Sequence, residues 1–387
     1  MAGEILRSRS ELGGRVAPIE LFFDLVYVFA VTQLSHLLLS DLTPAGAVRT
    51  LLLMLAVWWA WMYTAWSTNY LHPDHPVMRF TLVGIMLAGL VMSAALPHAF
   101  GDKAGWFVGA YLAIQVGRTL TVTLLSRGEA VQKVFLRVLV WMMFSAVLWI
   151  AGLFFGGWTQ VAFWAAALAV EYTAPWHGYR TPFLGRSETS DWTIDGGHMA
   201  ERCQLFVIIA LGESVLVTGV TLMNEDFSGP AVAALVAAFL GSVALWWVYF
   251  DRTAEAAAEA IAASDDPGRI GRSAYTFIHL PMVAGIIVMA VGDELVIAHP
   301  GGHVALGTAL TVLGGPALFL IGHAMFKRVV FGYVPVNRVV AVLALAVLGL
   351  VALFAPPIVV LSAATLVVWG VAAWDFVLIR RRDARER

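Results

Sequence analysis

The sequence predicts an all-α polytopic membrane protein with twelve transmembrane helices. The composition is the first reason: of 387 residues, 60% are hydrophobic and 13% are charged, and the mean hydropathy is +0.81. The second reason is that the apolar residues form continuous runs of about 20 residues, the length that an α-helix needs to cross a bilayer. Because these runs do not alternate between polar and apolar residues, a transmembrane β-barrel is excluded.

Twelve apolar runs follow one another along the chain. In order they are Ile19–Leu39, Ala47–Trp66, Arg79–Pro97, Ala104–Leu125, Val134–Phe155, Trp158–Ala174, Met199–Met223, Pro230–Phe250, Arg272–Ala298, His303–Phe326, Arg338–Phe354 and Ile358–Ile379. The longest polar stretch between them begins at Pro175 and ends at His198. No soluble domain is therefore expected.

The basic residues indicate the orientation of the chain. If the connections alternate between the two sides, all but three of the 24 Lys and Arg residues fall on the side of the two termini. The exceptions are Arg49 and Lys103 on the other side and Arg118 within the fourth span. Since cytoplasmic loops carry an excess of Lys and Arg, both termini are predicted to be cytoplasmic.

The two six-span halves resemble each other in the same order. The matching pairs are Glu20 with Glu201, Trp58-Trp59 with Trp246-Trp247, Leu87–Val91 with Val283–Ile287, and Arg137–Leu139 with Arg338–Val340. Six is an even number, so the halves are predicted to be parallel repeats, with functional sites at their junction. The predicted organisation is a cytoplasmic segment 1–18, a first repeat 19–176, a linker 177–198, a second repeat 199–380 and a basic tail 381–387, which should contact anionic headgroups.

Ionisable residues within spans are the candidate functional groups, because each costs about 2.5–3.5 kcal/mol on insertion scales. Glu20 and Asp24 share one helix face, and in a dry site they would not both ionise freely. Glu213 lies near the middle of the seventh span. Asp24 and Glu213 are the predicted proton-handling or catalytic groups. The predicted substrate-binding residues are Glu20, Gln33, Trp58, Trp59, Asn69, Arg118, Glu201, Arg202, Trp246, Trp247, Tyr249, Asp251 and His279.

Structural roles compete with functional ones at several of these positions. Glu20 follows Pro18 in the first turn of its helix, where an acid suits the positive end of the helix dipole. Asp24 would otherwise serve as the partner of an arginine such as Arg118. Asp251 ends the eighth span, and packing between helices explains the tryptophan pairs more often than ligand stacking does.

Four segments resemble the bacterial low temperature requirement A family over essentially the whole chain. They are Pro18–Ala30 with Gln33–His36, His198–Arg202 with Leu205–Ser214, Trp246–Asp251, and His279–Gly285. The resemblance implies an integral membrane protein, and it supports Glu20, Asp24, Glu201, Arg202, Glu213 and Asp251 as a set. It implies no particular reaction, because the family's name records a growth phenotype.

Two functions remain open at the level of sequence. The first is a proton-coupled secondary transporter, with Glu213 as the proton-coupling group and Arg202 or Arg118 as its counter-charge. Glu20 and Asp24 would line the inner vestibule. The alternative is an intramembrane enzyme, in which a protonated Asp24 or Glu213 is the general acid for a lipid or isoprenoid substrate. The tryptophan pairs and Tyr249 would then stabilise a carbocation through their ring faces.

The absence of certain motifs from the sequence argues against several kinds of cofactor and partner. There is no Cys/His metal signature and no phosphate-binding loop, so no metal site, no cofactor and no nucleic-acid partner are predicted. Haem held by His36, His279 or His323 is a weaker third hypothesis. The expected partners are membrane lipids and a small-molecule or lipid-like substrate, and the sequence leaves open whether the chain forms a homodimer.

Overall fold

The computed structural model describes residues 16–188, 195–251, 253–262, 264 and 267–386. These residues are mainly helical, and no β-strand occurs among them; Thr181 and Gly185 form an isolated bridge. The all-α prediction is confirmed. The helices are α1 (Pro18–Ser40), α2 (Pro44–Tyr70), α3 (Pro76–Ala95), α4 (Ala104–Leu125), α5 (Ala130–Gly152), α6 (Gly157–Thr173), α7 (Gly196–Asn224), α8 (Gly229–Phe250), α9 (Thr253–Ala262), α10 (Pro267–Gly271), α11 (His279–Ala298), α12 (Leu306–Phe331), α13 (Val336–Val351) and α14 (Pro357–Glu386).

Eleven helical segments within the described residues are long and apolar enough to cross a membrane. They correspond to eleven of the twelve predicted runs, with boundaries that differ by a few residues. The remaining run forms α6, which has 17 residues. At 1.5 Å per residue it is about 26 Å long, slightly less than the hydrocarbon core of about 30 Å. The chain is thus a multi-pass membrane protein, and the count of twelve spans stays a prediction.

Several helix ends differ from the sequence prediction. Helix α7 begins at Gly196, so the last residues of the predicted linker are helical. The physical reason is a cap: Asp195 Oδ1 accepts a hydrogen bond from the backbone N–H of His198 at 3.1 Å, which satisfies a donor of the first turn. The ninth predicted span opens with a π-helical turn, Arg272–Phe277. Helices α9 and α10 were not predicted.

The first compact unit comprises residues up to Leu205 together with residues 261–272. In it α3 packs on α1 and α4, α4 packs on α5, and α5 packs on α6. Helix α2 contacts α1, α4 and α6, and every residue from Ala56 to Tyr70 is buried. Because a helix that is buried all round presents every face to other helices, α2 can bring polar side chains to two different sites.

The second compact unit comprises residues 206–260 together with residues 273–387. Helix α11 packs on α12, α12 on α13 and α13 on α14, while α8 contacts α14 and α11. Glycines permit the closest of these contacts. A Cβ atom on Gly315 of α12 would lie 2.5 Å from the backbone nitrogen of Met289 on α11, so only glycine fits at this crossing.

We expect Gly315→Ala to destabilise the protein by about 1–3 kcal/mol, because the added methyl group meets backbone atoms that cannot move independently. The matched control is Gly314→Ala, since a Cβ atom there meets nothing within 4 Å. That variant should be neutral or stabilising by up to about 1 kcal/mol, as alanine is the better helix former. Unfolding titrations in detergent measure both. Equal effects of the two variants would contradict the tight crossing.

Candidate functional site

An ion network joins α1 and the first turns of α7. Arg202 Nη1 donates to Glu20 Oε1 at 2.8 Å, and Arg202 Nη2 donates to Asp24 Oδ1 at 2.6 Å. All three residues are 0% exposed. The guanidinium group also lies over the rings of Phe23 and Trp61, at 5.6 and 5.7 Å from the centroids, as cation–π contacts require. One buried guanidinium group therefore binds two buried carboxyl groups that are 178 or more residues away in sequence.

The two carboxylates differ in how completely they are hydrogen-bonded. Glu20 accepts from Arg202, from His198 Nε2 at 3.1 Å and from the backbone N–H of Ala17 at 2.9 Å, so both of its oxygens have donors. Asp24 Oδ1 accepts from Arg202 and from Trp61 Nε1 at 2.7 Å. Asp24 Oδ2 is buried and has no hydrogen-bond partner in the described part of the chain. Glu20 is thus held as a carboxylate, and Asp24 has a free oxygen.

The hydrogen-bonding role of each ring nitrogen of His198 follows from its contact with Asn69 of α2. Asn69 Oδ1 accepts the backbone N–H of Asp195 at 2.9 Å, and Asn69 Nδ2 donates to the carbonyl oxygen of Asp195, also at 2.9 Å. This pair of bonds orients the amide, so Nδ2 is also the group that faces His198 Nδ1 at 3.2 Å. His198 Nδ1 is then an acceptor and Nε2 carries the proton that is donated to Glu20.

Among the described residues of this network, the guanidinium group of Arg202 binds both carboxyl groups, those of Glu20 and Asp24. Two carboxylates beside one guanidinium group in so dry a site favour the uptake of a proton. Asp24 Oδ2 is the oxygen without a donor, so the geometry favours Asp24 as the group that takes the proton. We call Glu20, Asp24, Trp61, Asn69, His198 and Arg202 the acid–arginine network.

A second buried network in the same unit extends from α4 to α6. Arg118 Nη2 donates to Gln115 Oε1 at 2.6 Å, and Gln115 Nε2 donates to Tyr111 Oη at 3.0 Å. Tyr111 in turn donates to Glu171 Oε2 through a short hydrogen bond. Arg118 Nη1 binds α2, through the carbonyl oxygen of Ala60 at 3.2 Å. Arg118 forms no ion pair with Asp24 within the described residues, and its predicted role as counter-charge of Glu213 stays a prediction.

Glu171 is the acceptor at the end of this chain of hydrogen bonds. Its Oε1 accepts from Ser145 Oγ at 2.8 Å and from Trp149 Nε1 at 3.0 Å, and its Oε2 accepts from Tyr111. All of these donors are neutral. A buried carboxylate without a direct cation depends on its hydrogen bonds, so each of them matters. We call Tyr111, Gln115, Arg118, Ser145, Trp149 and Glu171 the Glu171 network.

The other predicted residues of the first unit lie around these networks. Glu201 is half-buried, and its Oε2 accepts the backbone N–H of Val16 at 3.2 Å, so it caps the start of α1. Trp58 is buried against Trp61, with ring centroids 5.1 Å apart. Trp59 stacks on Tyr172, beside Glu171, at 4.1 Å. Gln33 is half-buried, and no side-chain hydrogen bond of it is found among the described residues.

The predicted residues of the second unit are not gathered in one cluster. Glu213 is 5% exposed and has no side-chain hydrogen bond or ion pair within the described ranges. Trp246 and Trp247 are 45% and 39% exposed, so they do not line a buried chamber within this unit. Asp251 is half-buried and its backbone N–H donates to the carbonyl oxygen of Trp247, which ends α8.

Tyr249 and His279 form a hydrogen-bonded pair in the second unit. Tyr249 Oη lies 2.8 Å from His279 Nε2, and His279 Nδ1 lies 2.8 Å from the carbonyl oxygen of Ala274. Because a carbonyl only accepts, Nδ1 carries the proton and Nε2 accepts from Tyr249. Both ring nitrogens are engaged, so His279 offers no nitrogen to a haem iron, which removes it from the haem hypothesis.

Sequence reasoning missed most members of the Glu171 network, and it missed Asp195 beside His198. Glu171 was recognisable as an acid within a span, but Tyr111, Ser145 and Trp149 carry no motif of their own. Asp195 fell in the predicted linker. The role of Glu20 as a helix-terminal acid was foreseen, and the structure shows that it caps Ala17 and binds Arg202 at the same time.

These helices and the buried acid–arginine network define a multi-pass membrane protein with ionisable groups inside its spans. The chain belongs to the bacterial low temperature requirement A protein (LtrA) family, whose model matches residues 15–373. It is 36% identical over 370 residues to an uncharacterized protein of Rhizobium meliloti (strain 1021). The matched region covers 94% of this chain and 90% of that relative. No solved structure matches the chain. The resemblance predicted from the four segments is confirmed.

Proposed function

We propose that this protein is a proton-coupled secondary transporter of the bacterial inner membrane, and that Asp24 takes up and releases the coupling proton. The observation that carries the proposal is the acid–arginine network. Its single guanidinium group is shared by two fully buried carboxylates, and one oxygen of Asp24 has no partner in the described chain. Ionisable groups held inside membrane spans are characteristic of proton relays in transporters.

The network also suggests how a proton would drive a conformational change. A proton on Asp24 removes the charge that Arg202 Nη2 binds, and so weakens the ion pair between α1 and α7. Glu20 keeps its hydrogen bonds from Arg202, His198 and the backbone N–H of Ala17, and these hold the rest of the network in place. Protonation would thus shift the equilibrium between two arrangements of α1 and α7, as a coupled transport cycle requires.

The packing order within each unit supports the predicted repeat. In the first unit α3, α4, α5 and α6 pack consecutively, and α2 contacts α4 and α6. In the second unit α11, α12, α13 and α14 pack consecutively, and α8 contacts α12 and α14. Duplicated six-helix units are typical of secondary transporters. Glu213 as a second proton-coupling group stays a prediction.

The alternative of an intramembrane enzyme has less support. In that hypothesis the tryptophan pairs and Tyr249 would stabilise a carbocation through their ring faces. Trp246 and Trp247 are 45% and 39% exposed, and the Tyr249 hydroxyl is hydrogen-bonded to His279, so these three rings give the hypothesis little support. Trp61 donates a hydrogen bond to Asp24, and Trp58 packs against Trp61. These two rings supply aromatic surface on one side of Asp24.

The test is solute-linked proton flux in proteoliposomes that contain a pH-sensitive dye. Asp24→Asn keeps the shape of the side chain but cannot lose a proton, so it should abolish coupling while the folded protein is retained. Glu188→Gln, at an exposed position, is the matched control, and Glu213→Gln tests the second acid. Turnover of a lipid extract in detergent by a protein without flux for any solute of a broad panel would contradict transport. Normal flux in Asp24→Asn would exclude Asp24 as the carrier.

A further inference from the structure

An apolar groove runs between α12 and α13 in the second unit. It has a volume of about 390 Å³. Its walls are formed largely by Leu320, Met325, Val339 and Leu343. Met325, Val339 and Leu343 are exposed and therefore face lipid in a membrane protein. A groove of this shape and chemistry accommodates a hydrocarbon chain.

Two arginines line the same groove, and they differ in their partners. Arg338 forms its floor and is fully buried. Its Nη1 donates to Asp375 Oδ1 at 2.5 Å, and its Nε donates to His323 Nδ1 at 3.3 Å. Arg338 Nη2 is buried without a hydrogen-bond partner in the described residues. The floor thus carries a cation whose hydrogen bonds are incomplete.

Arg328 lies at the rim and is exposed. Its Nη1 donates to the carbonyl oxygen of Gly332 at 3.0 Å, which closes α12, and it has no carboxylate partner in the part of the chain that is described. The neighbouring Lys327 adds a second positive charge to this end of the helix. Asp375 pairs with Arg338, and the charges of Asp375 and Asp251 both act on Lys327. Arg328 therefore supplies the positive charge of the rim at the predicted cytoplasmic side.

We propose that this groove binds one anionic phospholipid, with an acyl chain between α12 and α13 and the phosphate at Arg328. The apolar walls would contact the acyl chain, and Arg328 at the rim would bind the negatively charged phosphate. Basic pockets between transmembrane helices on the cytoplasmic side bind anionic headgroups in this way. A free phosphate ion would use the rim and leave the long apolar walls without a role. This site is independent of proton coupling at Asp24.

The experiment is native mass spectrometry of the full chain, released from micelles that contain equal amounts of phosphatidylglycerol and phosphatidylcholine. The unmodified protein should retain phosphatidylglycerol preferentially. Arg328→Gln should lower the ratio of retained phosphatidylglycerol to phosphatidylcholine about fivefold, because it removes one cation near the headgroup. Leu343→Trp should lower the retention of both lipids, since the indole fills the groove.

Two controls make the result decisive. The first is Val347→Trp on α13. Val347 is 62% exposed and Leu343 is 60% exposed, but Val347 does not line the groove. Lipid retention by Val347→Trp should therefore be unchanged. Arg79→Gln removes an exposed arginine from the same predicted side of the membrane. The proposal is overturned if Arg328→Gln and Arg79→Gln alter the lipid ratio equally. It is also overturned if Leu343→Trp retains as much lipid as Val347→Trp, or if inorganic phosphate displaces the lipid.

Discussion

Replacing Arg202 with methionine is expected to destabilise the protein by about 3–5 kcal/mol, the cost of removing one partner from a buried ion network. Glu20 and Asp24 would remain in a dry environment, and both would lose their charged donor. Unfolding titrations in detergent, followed by tryptophan fluorescence, measure the loss. Cys203, the chain's single cysteine, is fully buried and gives a second readout through its rate of maleimide labelling.

An exposed ion pair provides the matched control for this prediction. Arg79 Nη2 lies 2.6 Å from Asp74 Oδ1, the same distance as in the Arg202–Asp24 pair, but the two side chains are 57% and 64% exposed. Arg79→Met should therefore cost only about 0–1 kcal/mol. If Arg202→Met proves as mild as Arg79→Met, the network does not hold α1 against α7.

Replacing Glu171 with leucine is expected to have the second largest effect, a destabilisation of about 2–6 kcal/mol. Leucine cannot accept hydrogen bonds, so Trp149 Nε1–H and the Tyr111 hydroxyl would lose their acceptor, at about 1–3 kcal/mol for each buried donor. Ser145 should suffer less, because its hydroxyl can still donate to the carbonyl oxygen of Met142. The free energy of unfolding in detergent is again the measurement.

A double-mutant cycle separates the lost hydrogen bonds from the change in side-chain shape. Tyr111→Phe removes one of the two stranded donors, so combining it with Glu171→Leu should cost less than the sum of the single variants. Glu188→Leu, at an exposed acid, should change stability by no more than about 0.5 kcal/mol. Strict additivity of Tyr111→Phe and Glu171→Leu would show that their hydrogen bond contributes nothing.

Much of the architecture followed from the sequence because membrane insertion depends on local composition. The apolar runs located the helices to within a few residues, and eleven of them are long enough to span. The run that forms α6 gives a helix of 17 residues, and its crossing of the membrane stays a prediction. The prediction was less accurate for the connection between α8 and α11, because its short helices α9 and α10 carry no apolar signal.

The candidate site was predicted in part. Depth selected Glu20, Asp24 and Asn69, and the structure brings them together with Arg202 in the acid–arginine network. Their pairing was not predicted: Arg202 or Arg118 was expected to be the counter-charge of Glu213. Arg202 lies instead against α1, where two carboxylates compete for it.

The amino-acid sequence by itself determined that the chain is helical, that it crosses the membrane repeatedly, and that it carries acids within its spans. Each of these properties depends on the hydropathy and charge of residues that are neighbours along the chain. Only the tertiary structure decided that Arg202 binds Asp24, that Asn69 orients His198, and that Trp246 and Trp247 lie exposed. Partners separated by more than a hundred residues meet through helix packing, and packing depends on the shapes of all the side chains at once.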